Sequence, residues 1–188
     1  MLKVLNIITW GAYILLLAAV VVIIWASFLP QEVFHAERGV AYWLIRIDEA
    51  AQRAYIPFNI LQAPSTDRIQ AKSAFIIFTL FNSLIFMVVF LYGLKQIKNI
   101  LQSITYSYTP FTIQNANRLK KLSFIIIGYA LLGDLIINLL ITLFVTDIFS
   151  VDISIFNILG LIIGALLFII SQIFLHGAYL QEEFDTTL

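Results

Sequence analysis

Leu122-Ser-Phe-Ile-Ile-Ile-Gly-Tyr-Ala-Leu-Leu-Gly-Asp-Leu-Ile-Ile-Asn-Leu-Leu-Ile-Thr-Leu-Phe-Val145 is the stretch that decides the fold. As a helix it is long enough to cross a bilayer, which takes about 20 apolar residues. Three further runs of similar character flank it, so the spans fall at about 5–29, 74–94, 122–145 and 153–175. Across the 188 residues, 61% are hydrophobic and 12% charged, with a mean hydropathy of +0.97. A soluble domain has no use for four separate runs of this length. The fold class read from this pattern is all-α, an integral membrane four-helix bundle forming one domain.

Outward from the third run, the connecting segments differ sharply in charge. The loop 95–121 holds Lys95, Lys98, Arg118, Lys120 and Lys121 and no acid. The short loop 146–152 holds Asp147 and Asp152 and no base. Basic short loops stay on the cytoplasmic side. With four spans both termini are then cytoplasmic, the loop 30–73 and the short acidic loop lie outside, and 176–188 is a cytoplasmic tail. The first run is 25 residues and ends at Phe28-Leu29-Pro30, so it reads as a retained span and not as a cleaved signal.

Within the outer loop, Val40, Trp43, Leu44, Ile47, Ala51 and Ala54 recur at helical spacing. The expectation is an extracytoplasmic amphipathic helix, roughly Glu37 to Tyr55, lying on the membrane surface or capping the bundle. In the cytoplasmic loop the stripe Leu94, Ile97, Ile100, Leu101, Ile104 carries the second helix past the membrane by two to three turns. Thr112 is placed to cap a short helix Ile113–Lys121 that feeds into the third span. On the fourth run Asn157, Gly160, Gly164, Phe168 and Ser171 share one face. Gly160 and Gly164 form a small-xxx-small pair that packs within the bundle or between copies.

Asp134 is the one acid or base inside the four runs. A carboxylate at mid-bilayer costs about 2.5–3.5 kcal/mol on insertion scales and therefore needs a reason. Counting about 1.5 Å per residue from the outer ends puts Asn82 about 12 Å deep, Asn138 about 10 Å and Asp134 about 16 Å. Asp134 and Asn138, four apart, project from one helical face. The expected intramembrane polar group is therefore Asp134, Asn138 and Asn82, hydrogen-bonded so as to set helix register. Against this stands a titrating Asp134 that carries a proton or a cation. No second acid, basic partner or broken helix pair accompanies it, so the register reading is preferred.

Other chemistry is missing. There is no cysteine, and His35 and His176 stand at opposite ends of the chain. No metal-ligand cluster, phosphate-cradling glycine loop or serine elbow is present, so neither a cofactor nor an enzymatic activity is expected. The basic loop sits beside the membrane, where topology and anionic lipid explain its charge without nucleic acid. The partners expected are the lipid bilayer, a cytoplasmic protein partner or regulator, and a second copy.

Two blocks carry a resemblance. One is Pro110-Phe111-Thr112 with Asn115, Arg118, Lys120 and Lys121. The other is Gly177-Ala-Tyr-Leu180-Gln181-Glu182-Glu183 with Asp185 and Thr187. Together they resemble a bacterial family of small four-span membrane proteins catalogued as domain of unknown function 2975. The sequence departs from that pattern at Asn117, Phe184 and Thr186. The resemblance implies a multi-pass protein of the bacterial inner membrane in a regulatory or stress-response setting, and no known activity. The function expected is a non-enzymatic one of regulatory, sensing or immunity type, exerted through the cytoplasmic basic loop, the acidic tail and the outer loop. A docking of the acidic tail (Glu182, Glu183, Asp185) on the basic loop (Arg118, Lys120, Lys121) is expected, or a shared cytoplasmic partner. The rival function is a small transporter or channel subunit using Asp134.

Overall fold

The computed structural model of the chain describes residues 2–38, 42–47, 53–57, 69–107, 109–146 and 157–187. The long helices are α1 (Leu2–Phe28), α2 (Ala71–Thr79), α3 (Phe86–Ser107), α4 (Ile113–Ile141) and α5 (Ile158–Thr187). A π-helical turn, Leu80–Ile85, joins α2 to α3, and a second, Thr142–Thr146, ends α4. Four helical segments are long and apolar enough to span a membrane: Leu2–Phe28, Ala71–Thr105, Ile113–Thr146 and Ile158–Phe184. The chain is thus a multi-pass helical membrane protein. The second helix runs on past Leu94 to Ser107, as its apolar stripe predicts. Helix α4 begins at Ile113 behind Thr112, whose Oγ1 accepts the Asn115 N–H at 3.1 Å.

The first loop corrects an expectation. Where an amphipathic helix Glu37–Tyr55 was predicted, three antiparallel strands stand: β1 (Phe34–Arg38), β2 (Tyr42–Ile47) and β3 (Arg53–Pro57), in the order β1-β2-β3. The register pairs Phe34 with Ile47, Ala36 with Ile45 and Ile45 with Ala54. The winning signal is alternation with period two. Phe34, Ile45 and Ile47 are buried while His35, Glu37 and Arg46 are exposed. A run rich in aromatic and β-branched residues sits well on a pleated surface, and that preference overrides the coincidental helical spacing. The rest of the Glu37–Tyr55 stretch and the Pro64–Asp67 break lie outside the described residues. Glu37 and Arg46 form a diagonal ion pair on the wet face. Both side chains are about half exposed, so the pair contributes about 0–1 kcal/mol.

The chain packs as two compact units. The first holds the sheet and comprises Ile14–Met87 and Gly133–Ile155. Its core joins Ala26 of α1, Phe34, Ile45 and Ile47 of the sheet, Ala71, Ala74 and Phe75 of α2, and Ile141 and Val145 at the end of α4. Phe34 and Phe75 meet with ring centroids 5.8 Å apart. Pro30 follows α1, and Lys72 Nζ donates to the Ser27 and Leu29 carbonyls at 2.8 and 2.6 Å. A cation there satisfies carbonyls that a helix end leaves orphaned.

The second unit comprises Met1–Tyr13, Val88–Leu132 and Phe156–Leu188. In it α5 lies against α4 along small residues. A Cβ added at Gly164 would stand 2.5 Å from Ile127 Cγ1, and one at Gly160 would stand 2.9 Å from the Ala130 Cβ. The small-xxx-small face is therefore used inside the chain. Asn157 starts α5: its Oδ1 accepts the Gly160 N–H at 2.9 Å, and its own N–H donates to the Ala130 carbonyl at 3.3 Å. Ser123 and Ser171 are buried and bond back to the Lys120 and Phe168 carbonyls. That is how a hydroxyl sits in an apolar seam at little cost.

Gly164→Ala should lower the thermal stability of the detergent-solubilised protein by about 1–3 kcal/mol, because the new methyl overlaps Ile127. Gly128→Ala meets open space and should leave the unfolding midpoint unchanged or slightly raised. Ile45→Ala, in the sheet core, should cost about 2–5 kcal/mol by the same measurement.

Candidate functional site

The Pro110 block folds around one buried amide. Asn115 is fully buried on the first turn of α4. Its Nδ2 donates to Ser103 Oγ of α3 at 3.2 Å and to the Pro110 carbonyl at 3.1 Å. Its Oδ1 accepts from the Arg118 guanidinium at 3.0 Å. The same guanidinium nitrogen donates to the Asn99 carbonyl of α3 at 3.0 Å. One neutral side chain thus ties α3, the turn and α4 into a single hairpin. Its donors and its acceptor are used, as burial of an amide demands.

The turn is shaped from its own residues. Thr109 Oγ1 accepts the Phe111 N–H at 3.2 Å, and the Thr112 N–H donates to the Pro110 carbonyl at 3.1 Å. These bonds present Phe111 towards α5. The Phe111 ring packs edge-on to Phe174 with centroids 5.3 Å apart. It also lies over Gly177, where a Cβ would stand 2.6 Å from Phe111 Cδ1. One turn further along α5, Gln181 Oε1 accepts the Thr109 hydroxyl at 2.8 Å. The two sequence blocks, about 70 residues apart, therefore meet.

The described contacts between the blocks are aromatic packing on a glycine and a neutral hydrogen bond, while the charge docking expected involves Asp185, whose side chain lies outside the described residues. Arg118 is engaged by its own hairpin, through Asn99 and Asn115. Lys120 and Lys121 are exposed on α4, and Leu180, Glu182 and Glu183 are exposed on α5, which continues as helix through Thr187. The side chains of Asp185 and Thr187 lie outside the described residues. Thr109, Phe174, Asn99 and Ser103 complete the site and were not singled out from the sequence. The available signal was Gly177 itself, a glycine within a helical pattern, which marks close approach of a neighbour.

The intramembrane group is a second correction. Asp134 and Asn82 are exposed, and Asn138 is half-buried. Among the described residues no hydrogen bond joins the three. Depth matching constrains height along the helices and leaves rotation about their axes free. Ala130, Gly133 and Ile141 of α4 and Val145 of the π-helical turn after it are the buried residues of this stretch, and Asp134 is left exposed. Among the described residues, no three His, Asp or Glu side chains gather where they could hold a metal ion.

Both blocks of the site lie within a family match. The profile of DUF2975, a protein family of unknown function, matches residues 48–188. The chain belongs to the DUF2975 family. The matched region takes in β3 and every helix after α1, including the Asn115 hairpin and the α5 end that it receives. No curated protein and no solved structure matches the chain.

In this DUF2975 protein, Gly177→Ala should loosen the end of α5 and speed proteolysis between Gly177 and the C-terminus. Adding Phe111→Ala should recover part of the loss, because the overlapping ring is gone. Equal proteolysis in the single and double variants would show that the ring and the glycine are not coupled.

Proposed function

We propose that this DUF2975 protein is a non-enzymatic protein of the bacterial inner membrane, of regulatory, sensing or immunity type, that works by presenting a folded cytoplasmic platform to a protein partner. The observation that carries the reading is the junction of the two family blocks through Phe111, Gly177, Thr109 and Gln181. A basic loop and an acidic helix end become one surface, with Lys120 and Lys121 on one element and Glu182 and Glu183 on the other, all exposed. Exposed charges of both signs beside a rigid aromatic join favour recognition of a protein, with charge governing encounter and specificity. The all-basic loop between the second and third spans supports a cytoplasmic location for this platform and both termini. The transport reading loses support because Asp134 is exposed on its helix and has no acidic or basic partner among the described residues.

The test is affinity purification from membranes in mild detergent, comparing the full chain with a chain ending at His176. A partner retained by the full chain and lost from the shortened one is expected. A chain carrying Lys120→Glu and Lys121→Glu should bind the same partner several-fold more weakly, most visibly at low salt. An unchanged set of co-purifying proteins in both variants sinks the platform reading. A C-terminal alkaline phosphatase fusion that is active outside the cytoplasm would overturn the orientation.

A further inference from the structure

The hairpin of α3 and α4 has a polar face turned away from α5. A Cβ added at Gly93 would stand 3.6 Å from Leu122 Cδ1, the Asn99 carbonyl accepts from Arg118, and Ser103 Oγ accepts from Asn115. These contacts set the register of the antiparallel pair and put Lys95 level with Lys121. Gln114, Asn117 and Lys121 directly precede the contact residues of α4. On α3, Lys98 and Gln102 directly precede Asn99 and Ser103, and Lys95 lies one turn before Lys98. An antiparallel helix pair has an approximate twofold axis perpendicular to its plane, so residues at equal offsets from the contact line share one side of it. Lys98 is half-buried and the others are exposed. Ile127 and Ala130, which meet Gly164 and Gly160 of α5, lie on the other side of α4.

We propose that Lys95, Lys98 and Lys121 seat the phosphate of an anionic phospholipid at the border of the bilayer. The second apolar run ends at Leu94 and the third begins at Leu122, so Lys95 and Lys121 are the first charges outside the hydrocarbon on both helices. That is the height at which lipid phosphates lie, and basic pockets between spans at this height bind anionic headgroups. No acid occurs between Lys95 and Lys121 to compete for them. An ammonium meets a phosphate as a compact point charge. Towards the bilayer the same face is apolar and open. Val88, seven residues before Lys95, is exposed, and a Cβ at Gly128, seven after Lys121, would meet nothing within 4 Å. An acyl chain can lie along this strip while its headgroup meets the lysines, a pairing of charge and apolar groove that fits a lipid better than a soluble protein. The seat shares Lys121 with the cytoplasmic platform but needs Lys95 and Lys98, which the platform does not use.

The test is lipid retention by the detergent-purified chain, read by native mass spectrometry after exposure to equal amounts of phosphatidylglycerol and zwitterionic phosphatidylcholine. Phosphatidylglycerol should be retained several-fold over phosphatidylcholine. Lys95→Gln should lower that preference about fivefold, as expected for one lysine near an anionic headgroup, and adding Lys98→Gln should lower it further. Lys120→Gln removes the same charge from the α5 side of α4, seven residues before Ile127, and should leave the preference unchanged. Gly128→Leu fills the open strip without touching a charge and should weaken phosphatidylglycerol retention several-fold. Equal retention of the two lipids by the parent chain overturns the proposal. A loss with Lys120→Gln as large as with Lys95→Gln overturns the seat in favour of diffuse loop charge. Displacement of the lipid by inorganic phosphate, at an ionic strength where chloride leaves it bound, overturns the lipid as occupant in favour of a free anion. Lys121 is intact in every variant, so loss of the lipid and loss of a protein partner are read separately.

Discussion

Close approach of backbone to side chain at α5 is the constraint on which much of this structure depends. Helices in lipid gain little from burying apolar surface against one another, since the tails are as apolar as leucine. What holds them is van der Waals packing at short range and a few polar contacts. Gly160 and Gly164 let α5 approach Ala130 and Ile127, and Gly177 lets it receive the Phe111 ring. The helix is thus fitted against α4 in its apolar part and against the hairpin turn at its end. Ser123 and Ser171 stay small and turn their hydroxyls back on their own helices. Larger residues anywhere along this line would push α5 away from the turn that the second family block must reach.

Polar chemistry is concentrated where it can be satisfied. Asn115 sits fully buried and spends its amide on Ser103, Pro110 and Arg118. Networks of this kind are costly when half-satisfied and specify a unique arrangement when complete. The same economy operates at the other end of the second helix. Lys72 stops at the carbonyls of Ser27 and Leu29, which α1 would otherwise leave open. Asp134 and Asn82, by contrast, are exposed on their helices.

Much of the architecture was legible in the residues, and the misses have identifiable physical causes. Length and apolarity defined four spans, because a bilayer admits few alternatives to a helix of that length. Thr112 and the Leu94–Ile104 stripe marked the hairpin, since capping and amphipathicity are local. The first loop misled because Val40, Trp43, Leu44 and Ile47 satisfy a helical spacing and a strand composition at once. Strand pairing with Phe34–Arg38, which resolves the ambiguity, is a hairpin contact between two segments, and spacing within one segment does not reveal it. The Asp134 group misled for a related reason: matching depth is one coordinate of three.

By itself the sequence determined the class, the number of spans and the family, and it marked two blocks that fall within the family match. Those properties follow from composition, period and local pattern. Only the tertiary structure decided that the blocks meet through an aromatic ring and a glycine, that the loop is a sheet, and that Asp134 is exposed and not hydrogen-bonded to its expected partners. These depend on the rotation of each helix about its axis and on strand pairing. Both are set by packing over the whole chain, which no single stretch encodes.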